Sequence, residues 1–271
     1  MNDSVLDLRN RAREIQELYP IDDAIKFSAL VMGLRGVGKT TLLGTAPYPL
    51  LVDSFDPNGT VVLQQMYPEE CRDGRILIRK WWGDRAKRPR VFKAWEKQFE
   101  IDLQSGFFDA LGTYAIDSYT MLQDVLSNCV GMTGKSAKLD IGALAMADYQ
   151  ALYATVKDII NMASNCDCNF IMTAHTVADK DELTGEVTID IDAYRKLRTS
   201  VPLLFTEKYV LIKETTSAGA KHILLTQDFK RYQASTQIGA GGIFTTKEEP
   251  NIKMLLKKAG MSDADKPSLI S

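Results

Sequence analysis

Histidine and cysteine are scarce in this chain, at two and four among 271 residues. The thiols, Cys71, Cys129, Cys166 and Cys168, are too few and too irregularly spaced for a disulfide framework, and only two histidines are there to complete a metal site. Reduced, buried thiols in a cytoplasm are therefore expected. An excess of charge is missing as well: 33 Lys and Arg balance 35 Asp and Glu, for a net charge of −2. Without a globally basic footprint, any contact with nucleic acid has to come from a local patch. No uncharged run reaches the roughly 18 residues of a membrane-spanning helix, and the opening MNDSVLDLRN lacks the apolar run of about 7–15 residues that marks a secretory signal. A cytoplasmic chain with no membrane partner is expected. No internal repeat occurs, and 45% hydrophobic with 25% charged residues excludes a disordered, collagen-like or coiled-coil chain.

What is there is an alternation of strand and helix patterns. Val5, Leu8, Ala12, Ile15 and Leu18 repeat at helical spacing until Pro20 stops them, which predicts an amphipathic helix, packed on its own core or serving as an arm on a neighbouring subunit. The run from Ile25 to Met32 reads as a buried strand, and further strands are predicted at 49–52, 76–78, 114–116 and 169–173, with helices around 91–104, 119–130 and 143–164. Strands alternating with helices give an α/β fold, a mainly parallel sheet with helices on both faces. After Val201, EKYVLIKET and KHILLTQ lie too close for a crossover and predict antiparallel C-terminal strands, followed by a helix near 250–259 and a polar tail from Ser262. The expected organisation is an N-terminal helix over 1–20, a core domain over 21–245, and a C-terminal helix and tail over 246–271.

Gly33-Leu-Arg35-Gly36-Val37-Gly38-Lys39-Thr40 fits G-x-x-x-x-G-K-[ST] between an apolar strand and a helix. Glycines let successive N–H groups and the helix N-terminus face phosphate oxygens. Lys39 reaches the terminal phosphates, the Thr40 hydroxyl joins the shell of Mg²⁺, and Thr41 continues the cradle. A second metal partner is expected from an acidic residue at another strand tip, and Gly112-Thr-Tyr-Ala-Ile-Asp117-Ser118 supplies Asp117, whose alternative role is to cap the next helix. An N-K-x-D and a D-x-x-G motif are absent, which argues against a GTP switch. Ser118 stands where an ATPase often carries an acidic residue after its metal aspartate, so a catalytic base comes from elsewhere. Asp53 and Asp56, at the end of the second strand, are the candidates, unless they serve only the turn before Pro57-Asn-Gly.

The phosphate loop, Ile116-Asp117-Ser118, Asp148-Tyr149 opening a long helix, and Phe170-Ile-Met-Thr-Ala-His175, followed by Lys196-Leu-Arg-Thr-Ser-Val-Pro-Leu-Leu-Phe, together resemble phage-encoded RecA-like ATPases of the single-strand-annealing recombinase group called Sak-four, over about Ile25 to Ile238. The resemblance implies a P-loop NTPase with a RecA-like core, ATP and Mg²⁺ as cofactors, single-stranded DNA as partner, and a role in phage recombination inside a bacterial host cell. It also implies a single-strand-binding protein partner and a homo-oligomer, ring or filament. Against that pattern, Phe55 occupies the place of the catalytic glutamate, and Ser235-Thr236-Gln237 that of a Lys-Thr-Arg reaching a neighbour's nucleotide; Lys230 and Arg231 are candidates to act in trans instead. His175 falls where RecA-like proteins put a residue that senses the γ-phosphate.

Three segments carry candidate DNA-binding cations. One is the long loop 176–200, with Lys180, Arg195, Lys196 and Arg198; another is 131–139, with Lys135 and Lys138. The third is the basic stretch 72–97, where Lys87, Arg88 and Arg90 stand among Trp81, Trp82 and Trp95, a mixture of phosphate-tracking cations and base-stacking rings. Its bland alternative is an exposed loop entering a helix whose Val91, Trp95 and Phe99 face the core. The function expected is an ATP-dependent, single-stranded-DNA-binding recombination ATPase; a P-loop small-molecule kinase and an ATPase switch serving as loader or packaging accessory are the alternatives.

Overall fold

The computed structural model describes residues 2–18, 26–138, 144–180, 185, 187–216 and 219–270. In chain order the elements are α1 (Asn2–Leu18), β1 (Ser28–Met32), α2 (Lys39–Leu43), β2 (Leu50–Ser54), α3 (Val61–Met66), α4 (Pro68–Arg72) and β3 (Ile76–Lys80). There follow α5 (Val91–Gln104), β4 (Thr113–Asp117), α6 (Tyr119–Thr133), α7 (Met146–Asn165), β5 (Asn169–Ala174), β6 (Thr176–Lys180), β7 (Val187–Ile191) and α8 (Arg195–Ser200). The chain ends in β8 (Glu207–Thr216), β9 (Gly219–Leu225), β10 (Ser235–Thr236), β11 (Lys247–Glu248) and α9 (Ile252–Lys258).

The main sheet has the order β11-β9-β8-β1-β5-β4-β2-β3, with β10 pairing β8. From β8 to β3 every pairing is parallel, while β9, β10 and β11 join antiparallel. This is the expected α/β, RecA-like P-loop architecture with antiparallel C-terminal strands. Its inner strands read as unbroken apolar runs because both faces are covered. In β1, Leu30 and Met32 enter the core under α5, α6 and α7, whereas Ala29 and Val31 enter the opposite core under α2 and α9. The first core is aromatic: Trp95 and Phe99 stack at 5.2 Å between centroids, and Phe108 and Tyr114 lie 4.5 Å apart. Trp95, one of the rings offered above as a base stacker, is thus fully buried, because it sits on the apolar face of α5 with Phe92 and Phe99.

Two expectations change. The stretch 176–200 is no simple loop: β6 and β7 form an antiparallel hairpin, Thr176 opposite Ile191 and Lys180 opposite Val187, and α8 follows it. The β-branched run Val187-Thr-Ile-Asp-Ile has the alternation that a strand needs, and Gly185 with φ 72° lies in the connection. The second change is in α1, where Leu8, Ile15 and Leu18 are exposed, so its apolar stripe finds no cover in the chain's own core among the described residues. Ile25, Leu139 and Ala143, where other elements were expected to begin or end, lie outside the described residues, as does the boundary at 20–21.

The polar tail is bound to the domain. Asp265 accepts from the Tyr48 amide at 2.7 Å and pairs with Lys253, the Lys266 amide donates to the Tyr48 carbonyl, and the Lys266 ammonium reaches the carbonyls of Asp109 and Asp167. Asp265→Ala is expected to lower unfolding free energy by about 1–2 kcal/mol, the cost of an amide left without its acceptor. Urea denaturation measures it, and an unchanged midpoint would make the tail dispensable.

Candidate functional site

The phosphate loop bridges β1 and α2 at the carboxyl edge of the parallel strands. Gly36 and Gly38 have φ 79° and 98°, the left-handed region that glycine enters without cost. A Cβ on Gly33 would stand 2.6 Å from the Leu211 carbonyl oxygen, so this position admits no side chain. Lys39 is buried and folds back, donating to the carbonyls of Gly33 at 2.8 Å and Leu34 at 3.0 Å, with its Nζ 3.4 Å from His175 Nδ1. Burial pulls the Lys39 pKa below the ordinary lysine value, against the attraction of Asp117 and Asp56.

Asp117 ends β4 in the protein interior. Its two oxygens accept from two hydroxyls, Thr40 at 2.9 Å and Thr173 on β5. Desolvation raises its carboxyl pKa, and Asp56 adds to the rise, while the two hydroxyls and Lys39 oppose it. Oxygen donors fit the hard cation Mg²⁺, which is usually held by one or two carboxylates together with phosphate and water. Thr40 and Asp117 supply such donors beside the loop. Among the described residues no group of three or more His, Cys, Asp and Glu gathers that would hold a metal without a nucleotide.

Beside them opens a cavity of about 710 Å³, lined by Arg35, Gly36, Gly38, Lys39, Thr40 and Thr41 of the loop and, across from it, by Asp56, Asn58, Met121 and His175. Val37 differs from its neighbours: its side chain is buried in the core and its carbonyl is 2.6 Å from His222 Nδ1. Asp56 lies just beyond the end of β2, accepts from Ser118 at 3.1 Å, and brings Oδ2 to 3.6 Å from His175 Nε2. His175 follows β5 directly; its amide donates to Thr120 Oγ1, and its carbonyl accepts from the Asp192 amide. Lys39, Asp56 and His175 thus meet around one cavity wall.

Asp53 is a correction. It lies within β2 on the aromatic face of the sheet, fully buried, and accepts from Arg79 in a bidentate pair, from Trp81 Nε1, Trp95 Nε1 and Tyr114 Oη. Arg79 also reaches Asp102. A carboxylate with its lone pairs saturated inside the core cannot take a proton from water in the cavity, so Asp56 alone of the two is placed to act as a base. The same network occupies Trp81, one of the rings expected to stack on bases, and Arg79, a cation of the basic stretch 72–97.

The remaining cations divide. Lys87, Arg88 and Arg90 are exposed on the turn that leaves β3, near the exposed Trp82, and Asp84 pins the turn by accepting from the Arg90 amide at 2.9 Å. Lys135 is exposed on a turn that Asp148 holds through the amides of Lys135 and Ser136; the Lys138 side chain lies outside the described residues. Lys196 is exposed above the Tyr153 ring, whereas Arg198 is paired with Asp179 at 2.8 Å. Lys230 and Arg231 are exposed on the turn after β9, resting over Phe229 and Tyr232. Thr120, Thr173 and His222 are site residues that the sequence did not single out, and Ser118, noted there only for the acidic residue it replaces, bonds Asp56. Thr173 lies two positions before His175 in a run that looks wholly structural, and His222 reaches Val37 across 185 positions.

Fold and loop together define a P-loop nucleotide-binding domain with a RecA-like sheet. The family described as an AAA domain matches residues 25–235, and the chain belongs to that family. No curated protein matches it in sequence. Among solved structures it is similar to a prototypical ATPase from the type III secretion system of pathogenic bacteria, at 14% identity and TM-score 0.48, covering 69% of this chain and 52% of that one. The chain therefore spans about half the length of that ATPase. It is also similar to a KaiC-like protein from Pyrococcus horikoshii, at 12% identity, TM-score 0.42 and coverage of 78% and 82%, and to the flagellar accessory protein FlaH from Methanocaldococcus jannaschii, at 10%, 0.41, 86% and 88%. Among the described residues no helix is long and apolar enough to cross a membrane.

Asp53→Asn is expected to cost about 3 kcal/mol of stability, because it leaves Arg79 half-paired in the core. Nucleotide affinity is expected to stay within about twofold, since the change is remote from the cavity. Calorimetric unfolding and nucleotide titration measure the two; a loss of affinity without a loss of stability would return Asp53 to the active site.

Proposed function

We propose that this chain hydrolyses ATP with Mg²⁺ and couples hydrolysis to binding of single-stranded DNA. The observation that carries the reading is that Thr40, Asp56 and His175 line one cavity with the phosphate loop, while the buried Asp117 is hydrogen-bonded to Thr40. With nucleotide bound, Lys39 exchanges the carbonyls of Gly33 and Leu34 for phosphate oxygens. Thr40 and Asp117 would hold the Mg²⁺ of the nucleotide, an ion that would supply positive charge beside the transferring phosphoryl group. Asp56 accepts the proton of the attacking water, Ser118 keeps its carboxylate turned to the cavity, and His175 orients it from the other oxygen.

His175 is also the residue from which a γ-phosphate signal departs. It opens the β6–β7 hairpin, whose Ile189 amide donates to the Arg231 carbonyl at 2.8 Å, so the hairpin touches the turn carrying Lys230 and Arg231. In a homo-oligomeric ring or filament that turn is offered to a neighbour's nucleotide. DNA contact is assigned to Lys87, Arg88 and Arg90 with Trp82, which lie beyond the carboxyl end of β3 and so on the same edge of the sheet as the phosphate loop. The role that fits the sequence resemblance is phage recombination beside a single-strand-binding protein.

Asp56→Asn is expected to lower kcat by about 100-fold or more, the usual worth of a positioned base, with ATP affinity nearly kept. An undiminished kcat would move the base elsewhere. Turnover with and without single-stranded DNA separates the wider alternatives: stimulation supports the reading, phosphate transfer to a nucleoside would make the chain a small-molecule kinase, and indifference to both would make it a switch for a protein partner. Replacing Lys87, Arg88 and Arg90 together by Gln is expected to reduce the salt slope of single-strand binding by about 2, at roughly 0.7 per phosphate contact. An unchanged slope would leave the turn a solvated surface.

A further inference from the structure

The phosphate loop is held from two directions. Its own Lys39 takes the carbonyls of Gly33 and Leu34, contacts that are given up once the ammonium turns to phosphate. The other hold comes from the C-terminal strands. Gly33 lies against the Leu211 carbonyl of β8, and His222 of β9 brings Nδ1 to 2.6 Å from the Val37 carbonyl oxygen. Strand alternation puts His222 on the face it shares with Leu224, which belongs to the core under α2. The imidazole lies beside Gly38 as well, since a Cβ there would stand 3.4 Å from Nδ1 and 3.6 Å from Cε1. His222 does not line the larger cavity, so a nucleotide bound there leaves this contact in place.

The Val37 carbonyl and the Gly38 N–H belong to one planar trans peptide and point in opposite directions. A carbonyl can only accept, so the ring donates from Nδ1; with the oxygen drawn to β9, the N–H is turned away from that strand. Gly38 lines the phosphate cavity, and its amide donates to no acceptor among the described residues. The loop by itself does not fix this plane. Gly38 has φ 98°, and glycine enters positive and negative φ alike, so the peptide can turn over at little backbone cost. Turned over, it would aim a carbonyl oxygen instead of an N–H at a polyphosphate, replacing attraction by repulsion. We infer that His222 is a positioning residue for anion binding: by donating to the Val37 carbonyl it keeps the N–H of the Val37–Gly38 peptide toward the phosphates. The inference rests on the nucleotide reading above and adds what aims an amide of the cradle before the ligand arrives. It gives β9 a part in the phosphate site across 185 positions of sequence.

Two substitutions separate positioning from packing. His222→Asn keeps a side-chain N–H close to where Nδ1 stands but fills less space, whereas His222→Leu fills comparable space and donates nothing. Each full-length variant is titrated calorimetrically with inorganic tripolyphosphate and with ATP, both with Mg²⁺. His222→Leu is expected to weaken the two ligands in parallel by about tenfold, and His222→Asn to stay within about threefold of wild type. If His222→Leu binds as wild type does, or His222→Asn loses as much as His222→Leu, the ring only fills space and the inference is overturned. A loss confined to ATP would overturn it too, because it would set His222 against the rest of the nucleotide and not the loop. Long-range proton–nitrogen spectra of the ligand-free wild type, with neutral imidazoles, are expected to show the His222 proton on Nδ1. A proton on Nε2 leaves nothing to donate to Val37 and would overturn the inference even if neither variant folds. A wild type that binds neither ligand would overturn the nucleotide reading and this inference with it, an outcome distinct from the others because no variant and no tautomer enters into it.

Discussion

A carboxylate in a dry interior stays useful only if hydrogen-bond donors replace the water it has lost, and at Asp117 those donors come from outside its own strand. Thr40 approaches from the start of α2, which is placed by β1, and Thr173 from β5. The constellation therefore exists only while β1, β5 and β4 keep their parallel register, with Met32 beside Ala174 and Ile116 beside Met172. A slip of one residue in β5 would turn Thr173 to the other face and put a methionine or an alanine against the carboxylate. The two cores that clamp the sheet are what forbid such a slip, because alternate residues of β1 are committed to opposite sides. The electrostatics of the site and the packing of the domain are in this sense one constraint.

The same rule, applied one strand over, separates Asp53 from Asp56. Both carboxylates follow the apolar run of β2, but Asp53 still obeys the strand's alternation and shares a face with Leu51 and Phe55, where α5 and β3 surround it with donors. Asp56 lies past the last strand residue, where the chain bends and the side chain is free to turn toward the loop. One acidic residue thus locks β2, β3, β4 and α5 together while the other, three positions later, faces the nucleotide cavity.

How much of this was legible follows from the range of the interactions. The phosphate loop is local: its glycines, lysine and threonine are consecutive, and flanking strand and helix patterns identify it. The parallel sheet was legible for a similar reason, since fully buried strands leave continuous apolar runs such as Ala29–Met32 and Tyr114–Ile116. The choice between Asp53 and Asp56 was not, because it depends on Arg79, Trp81, Trp95 and Tyr114, up to 61 positions away. Nor were Thr173, Thr120 and Ser118, whose hydroxyls look like ordinary strand and cap residues until the partner carboxylate or histidine is beside them. The basic stretch misled for the opposite reason: a cluster of tryptophans and arginines reads as a surface for bases, yet two of its rings and one arginine are spent on a buried carboxylate.

The hairpin that replaces the expected loop after His175 alters what a nucleotide signal requires. A long loop absorbs a displacement at one end within a few residues, since each backbone dihedral takes up part of it. A hairpin whose strands are hydrogen-bonded from Thr176–Ile191 to Lys180–Val187 transmits a displacement at its base as rotation of the whole ribbon. The base of this ribbon is fixed to the site on both strands, through the His175 amide on Thr120 and the Asp192 amide on the His175 carbonyl. Its second strand then touches the 229–232 turn at Ile189, while Lys208 of β8 faces Asp190 at 3.6 Å. Coupling between sites needs an element that both can bias. Under the function proposed above, the ribbon that begins at His175 and is seated against Arg231 is the element that would join the nucleotide site to the exposed Lys230–Arg231 turn.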